Sequence, residues 1–386
     1  MGGLEQTLPG GPTRLRFLGA HLFDLLDKLE HEVRPVELER RRVICAALES
    51  VAASGAPVVR LWGSLKHTGN SLEVERSAEL LALVLNENAR RARPLRFVVT
   101  LQNHQPGYGS PKPEASLDDQ DPESPWNARR IYLEGSWRTP SQGLLAERID
   151  TFRRRPDLAT SPYVLAWELV NELDTHRILP GGHWQSTAAD ALRSSFLVPA
   201  LTSLAGAFTQ PIMLGDLRGS KDGHGAFARS VVDALPPEVR GRLVWTSHVY
   251  APLAASARAP EVQAALGKLD LDLDVAADTG LPFLLGEVGQ WSRGAPAGFC
   301  RDGATHDVEQ LFAAVLEPSA RSPRRGAIEA ALFWGEGRCD LGVESARGPL
   351  RITIGAGGDS ADLGPGDSTA RTAVRTAREQ PRFRSE

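Results

Sequence analysis

Two glutamates close two short apolar runs: Glu172 ends Tyr163-Val-Leu-Ala-Trp-Glu-Leu-Val-Asn-Glu and Glu287 ends Pro282-Phe-Leu-Leu-Gly-Glu. Runs this rich in aliphatic residues read as strands buried on both faces, and each would carry its carboxylate to the strand's C-terminal tip. Two carboxylates so placed have the chemistry a glycosidic bond requires. One donates a proton to the leaving oxygen, and the second, held ionised, attacks the anomeric carbon from about 5–5.5 Å away. Their surroundings must therefore differ. Arg60 and Tyr250 are the residues available to favour an ionised Glu287 by charge and hydrogen bonding. Asn171, next to Glu172, is of the type that bonds a sugar 2-hydroxyl.

The elements that must position these groups follow from the alternation of strand-like and helix-like runs. Strands are predicted at 15–20, 57–62, 95–102, 162–172, 211–216, 242–250, 281–287 and 329–335. Helical periodicity lies between them, as at 36–54, with Val36, Val43, Ile44, Ala47, Leu48 and Val51 on one stripe, and at 71–92, with Leu80, Leu81, Val84 and Leu85; a last helix is expected at 369–379. Eight such units with no break in composition predict one α/β domain over 1–386, a (β/α)8 barrel with long top-face loops. Residues 1–14 form an N-terminal extension, and 336–367 a long loop after the last strand. Chemistry in such a barrel sits at the strand C-termini. His248 and Tyr250, two apart, share a face of their strand. Glu168 shares the face of Glu172, about 13 Å further down at 3.3 Å per residue, so a structural partner is expected for it.

The long connections carry aromatics. Tyr108, Trp126, Tyr132 and Trp137 fall in 103–140, Trp184 in 173–185 and Trp291 in 288–303. Long loops in compact domains are commonly functional, and aromatic faces are where sugar rings stack; the alternative is that each ring anchors its own loop. Trp184 and Trp291 are taken as substrate-binding candidates, with at least two stacking platforms expected among Trp126, Trp137, Trp184 and Trp291.

Arg60, His104, Asn171-Glu172, His248, Tyr250, Glu287 and Trp334, in this order and on these strands, resemble clan A glycoside hydrolases, specifically family 5. The resemblance spans roughly 15–335. It implies a retaining mechanism with Glu172 as acid/base and Glu287 as nucleophile, and a sugar site shaped by the other residues. Trp167-Glu-Leu-Val-Asn-Glu172 looks like the endo-β-mannanase branch, a pattern shared in part with β-glucanases. One departure stands out: the family usually has proline after the acid/base glutamate, and this chain has Leu173.

Composition narrows the partner. A net charge of -4 argues against nucleic acid or an anionic membrane surface, and no stretch of 18 apolar residues reads as a spanning helix. An oligo- or polysaccharide fits. No cofactor is called for. No metal is either: the first strand offers His21 alone, and His176 and His183 have no acidic partner at ligand spacing. The three cysteines, Cys45, Cys300 and Cys339, imply no disulfide framework, though Cys300 and Cys339 are placed to pair. No signal peptide is legible at the start as written. The expected activity is that of a retaining β-glycoside hydrolase, endo-acting on β-1,4-linked mannan or glucan. An exo-acting clan A β-glycosidase and an inactive carbohydrate-binding barrel are the alternatives.

Overall fold

A computed structural model describes residues 5–8, 11–14, 17–53, 56–65, 71–103, 128–139, 144–179, 183–219, 221–252, 260–291, 315, 323–328, 330–333, 339–345 and 348–354. His104, Tyr108, Trp126, Cys300 and Trp334 lie outside these, as do the stretches 355–367 and 369–379.

Eight strands form a closed barrel: β1 Phe17–His21, β2 Val58–Trp62, β3 Arg96–Asn103, β4 Val164–Asn171, β5 Ile212–Met213, β6 Leu243–Pro252, β7 Phe283–Trp291 and β8 Ala330–Phe333. Their order around the barrel is their order in the chain, with β8 beside β1. Pairing is parallel, as in Ala330↔Phe17 and His21↔Arg60 on one side and Trp167↔Ile212 and Ile212↔Leu243 on the other. This is the (β/α)8 fold expected, and each expected strand is present with its ends moved by a few residues.

The runs read as strands because both their faces are covered, so apolar side chains are wanted on each. Every residue of β2 and of β4 is buried. Trp167 shows how β4 is anchored: its ring stacks on Phe208 at 4.1 Å between centroids, meets Phe152 edge-on, and donates Nε1–H to Gln210 Oε1 at 3.0 Å. The barrel-facing alternation leaves room for polar groups. Glu168 is buried there and accepts from the Thr100 hydroxyl, which is the structural partner expected for it.

The helix Glu37–Ala53 starts with Glu37 and Glu39 in its first turn, where acidic groups suit the helix dipole. Val43, Ile44, Ala47, Leu48 and Val51 are buried on it, whereas Val36 precedes it and is exposed, so the apolar stripe is one residue shorter than the periodicity implied. Ser71–Ala89 buries Leu80, Leu81, Val84 and Leu85 as expected. Two segments expected as extension and loop contain antiparallel hairpins: Glu5–Leu8 with Gly11–Arg14, and Cys339–Ser345 with Gly348–Ile354. Among the described residues no helix is long and apolar enough to cross a membrane.

The chain falls into two compact units. One comprises Met1–Leu61, Glu87–Phe97 and Thr246–Glu386; the other comprises Trp62–Asn86 and Val98–Trp245.

Candidate active site

In the first unit, four residues expected for the site meet around one carboxylate. Glu287 is 2% exposed, and Arg60, wholly buried, donates Nη1–H to its Oε1 at 2.5 Å. The Tyr250 hydroxyl donates to Oε2, and His248 Nδ1 lies 3.4 Å from that same oxygen. Both carboxylate oxygens are thus engaged, one by a fixed cation. A carboxylate this deep would otherwise gain a proton, and these donors favour its ionised form.

Glu287 does not sit on a regular strand. Between β7 and β8 the register runs from Leu285↔Ala331 to Val288↔Phe333, three residues of β7 against two of β8, so one extra residue bulges out at Gly286-Glu287. Bulges of this kind re-aim a side chain. Gly286 allows the close packing that follows: a Cβ built there would lie 2.5 Å from Thr246 Oγ1 and 2.9 Å from His248 Nε2. His21, at the end of β1 and in register with Arg60, is buried beneath the same group. Burial, with the charge of Arg60 and the proximity of His248, holds its imidazole well below the usual histidine range, only the Gly286 backbone acting the other way. These surroundings disfavour the charged form of the ring. In the sequence, His21 reads only as a candidate metal ligand.

In the second unit, Asn171 ends β4 and Glu172 follows directly after it, both buried. Glu172 has a φ of 43°, the left-handed region that side-chain-bearing residues seldom enter and that costs roughly 1–2 kcal/mol. The pairing beside it is irregular in the same sense as in β7. Val170 N–H donates to the Leu214 carbonyl at 3.2 Å and Leu173 N–H to the Asp216 carbonyl at 2.8 Å, again three residues against two. Leu173–Asp174 then pairs in parallel with Leu217–Arg218. Gly215, at φ 99°, lies so close beneath β4 that a Cβ there would fall 1.6 Å from the Val170 carbonyl oxygen. No composition signal marks either bulge.

Of the aromatics, Trp184 is buried against Phe227 and edge-on to His224, and a Cβ on Gly219 would fall 2.6 Å from its ring. Trp137 is buried too, donating to the Ser195 carbonyl at 2.8 Å and meeting Phe196 edge-on. Tyr132 is buried with its hydroxyl beside Gln102, and burial pushes its ionisation up. These rings take the alternative role, anchoring their own loops, because each is spent on neighbours within the chain. Trp291 ends β7. Cys45 is a free thiol whose Sγ lies 3.7 Å from Glu87.

No family model matches this chain, and no curated protein matches it by sequence. Solved structures do match it by shape. The endo-β-1,4-mannanase from Thermotoga petrophila aligns with a TM-score of 0.56 at 14% identity, over 96% of this chain and 78% of that one. The endo-1,4-β-mannanase from Rhizomucor miehei aligns at 0.52 with 13% identity, over 97% and 99%. The catalytic domain of a Thermobifida fusca endoglucanase aligns at 0.50 with 13% identity, over 97% of each. The resemblance legible in the sequence is thus borne out for the architecture: this chain has a closed (β/α)8 barrel like that of these mannanases and this endoglucanase.

Proposed function

We propose that the chain is a retaining β-glycoside hydrolase acting within β-1,4-linked mannan or glucan, with Glu287 as nucleophile and Glu172 as acid/base. The observation that carries this is the buried Glu287 carboxylate, at the bulge in β7, held by Arg60, Tyr250 and His248. Such donors keep a nucleophile ionised where burial alone would protonate it. Glu172 follows directly on β4, and its backbone is held in a costly conformation, as functional residues often are. The mannanases and the endoglucanase of similar shape supply the candidate polymers. The two compact units act as one catalytic domain.

In this scheme Glu172 protonates the leaving oxygen as Glu287 forms a bond to the anomeric carbon. Glu172 then takes a proton from water, and that water displaces Glu287, so the anomeric configuration is kept. Asn171 bonds the 2-hydroxyl in this proposal. His104, Trp291 and Trp334 complete the sugar site in this proposal.

The test has two arms. Product sizes from mannan, glucomannan, cellulose and aryl glycosides define the substrate, and release from none of them overturns the enzymatic role. Azide then assigns the glutamates: Glu287→Gly yields an α-glycosyl azide by direct displacement, and Glu172→Ala a β-glycosyl azide from the accumulated intermediate. Reversed products would exchange the roles, and an inverted anomer from the wild type removes the retaining mechanism.

A further inference from the structure

We infer that Leu173 is a positioning residue for proton donation, acting through its backbone N–H, which clamps Glu172 in the left-handed conformation that aims its carboxyl. The inference rests on the proposed acid/base role of Glu172 and concerns how this chain holds it.

The bond pattern on either side of Glu172 carries the argument. Before it, Val170 N–H is tied to the Leu214 carbonyl; after it, Leu173 N–H is tied to the Asp216 carbonyl. Both acceptors belong to one short stretch, Leu214-Gly215-Asp216, whose middle residue packs directly on the Val170 carbonyl. A regular parallel ladder advances two residues on both strands. Here β4 spends one more, and Glu172 falls inside the surplus. Without the second bond nothing in that ladder fixes where the surplus residue turns, and the left-handed φ is the first conformation it would leave. The pairing of Leu173–Asp174 with Leu217–Arg218 extends the grip beyond the bond itself.

Residue type at 173 is therefore part of the device. A proline there has no N–H to donate, and its ring drives the preceding residue toward extended conformations, away from the one Glu172 adopts. Leucine in place of the proline expected from the family resemblance and a left-handed glutamate are two halves of one arrangement. Leu173 is also fully buried, so its side chain seals the clamp against water that would compete for the Asp216 carbonyl.

The experiment compares Leu173→Pro, Leu173→Met and Glu172→Ala on aryl β-glycosides whose leaving groups run from dinitrophenol to phenol. A misaimed acid matters only where the leaving group needs its proton. Leu173→Pro should lose at least a hundredfold in kcat/KM on phenyl glycosides and less than tenfold on dinitrophenyl glycosides. Leu173→Met, which keeps both the N–H and the buried volume, should restore the wild-type slope of log kcat/KM against leaving-group pKa. Where Leu173→Pro does not accumulate folded, leucic acid incorporated at 173 turns the amide into an ester, deletes only the N–H, and should steepen the same slope. An even loss across leaving groups, or none, overturns the clamp. Glu172→Ala separates the two claims: a steep slope for it beside a flat one for Leu173→Pro overturns the clamp alone, and a flat slope for Glu172→Ala overturns the acid role with it.

Discussion

Glu287 and Arg60 form an ion pair from which water is almost wholly excluded, and such pairs repay their desolvation only when the remaining donors and acceptors are also engaged. Tyr250 and His248 supply that engagement. The disfavoured charge on His21 then becomes understandable, since a further positive charge beside Arg60 would be repelled and undersolvated. This has a consequence for pH. Because folding lowers the His21 ionisation below its unfolded value near 6.5, the unfolded chain binds a proton that the folded chain does not once pH falls under that value. The His21 contribution to stability is complete above about pH 6.5 and is lost as pH drops toward the folded value, at up to about 1.4 kcal/mol per pH unit. Urea unfolding at pH 7 and pH 5 should show a smaller pH dependence for His21→Gln than for the wild type. Equal slopes would mean that His21 titrates alike in both states.

At the scale of elements, the two glutamates share one local irregularity, each lying within a stretch where one strand spends three residues against two on its neighbour. The strands themselves were legible, since burial on both faces writes itself as an unbroken apolar run. The bulges were not, because one surplus residue leaves composition and periodicity unchanged. Nor were the hairpins at Glu5–Arg14 and Cys339–Ile354, although Leu350-Arg-Ile-Thr-Ile354 carries the alternation of a strand with one apolar face. Trp184 and Trp137 are buried and packed on their own neighbours, which the sequence does not show, because a tryptophan in a long loop reads the same whether its ring faces a ligand or the loop's own base. Gly286 is where element geometry can be tested. The methyl group of Gly286→Ala must displace Thr246 or the His248 ring, a crowding that costs about 1–3 kcal/mol. We expect kcat/KM to fall more than tenfold while the protein remains folded. An unchanged kcat/KM, read beside the urea midpoint, would show that His248 has no need of its present place.

For the whole molecule, the balance of charge bears on substrate capture. A chain of net charge -4 offers little long-range attraction to any polyanion, and a neutral polysaccharide is neither steered nor repelled. Raising salt from 0.05 to 0.5 M shortens the screening length severalfold yet should change kcat/KM on neutral polymer by less than twofold, with reducing-sugar release as the measure. A steep change would show that charge contributes to capture of the neutral polymer. The closed order of the eight strands has a different consequence, for self-association. A ring of strands leaves no backbone edge on which a second copy of the chain can build. Among the described residues only the two-stranded sheets carry outer edges, and the longest belong to Cys339–Ser345 and Gly348–Ile354. Those two strands include Asp340, Glu344, Pro349 and Arg351, the kinds of residue that discourage main-chain templating. Among the described residues, the main-chain edges that the folded chain leaves open to pairing are therefore those of its two-stranded sheets, and the closed barrel adds none.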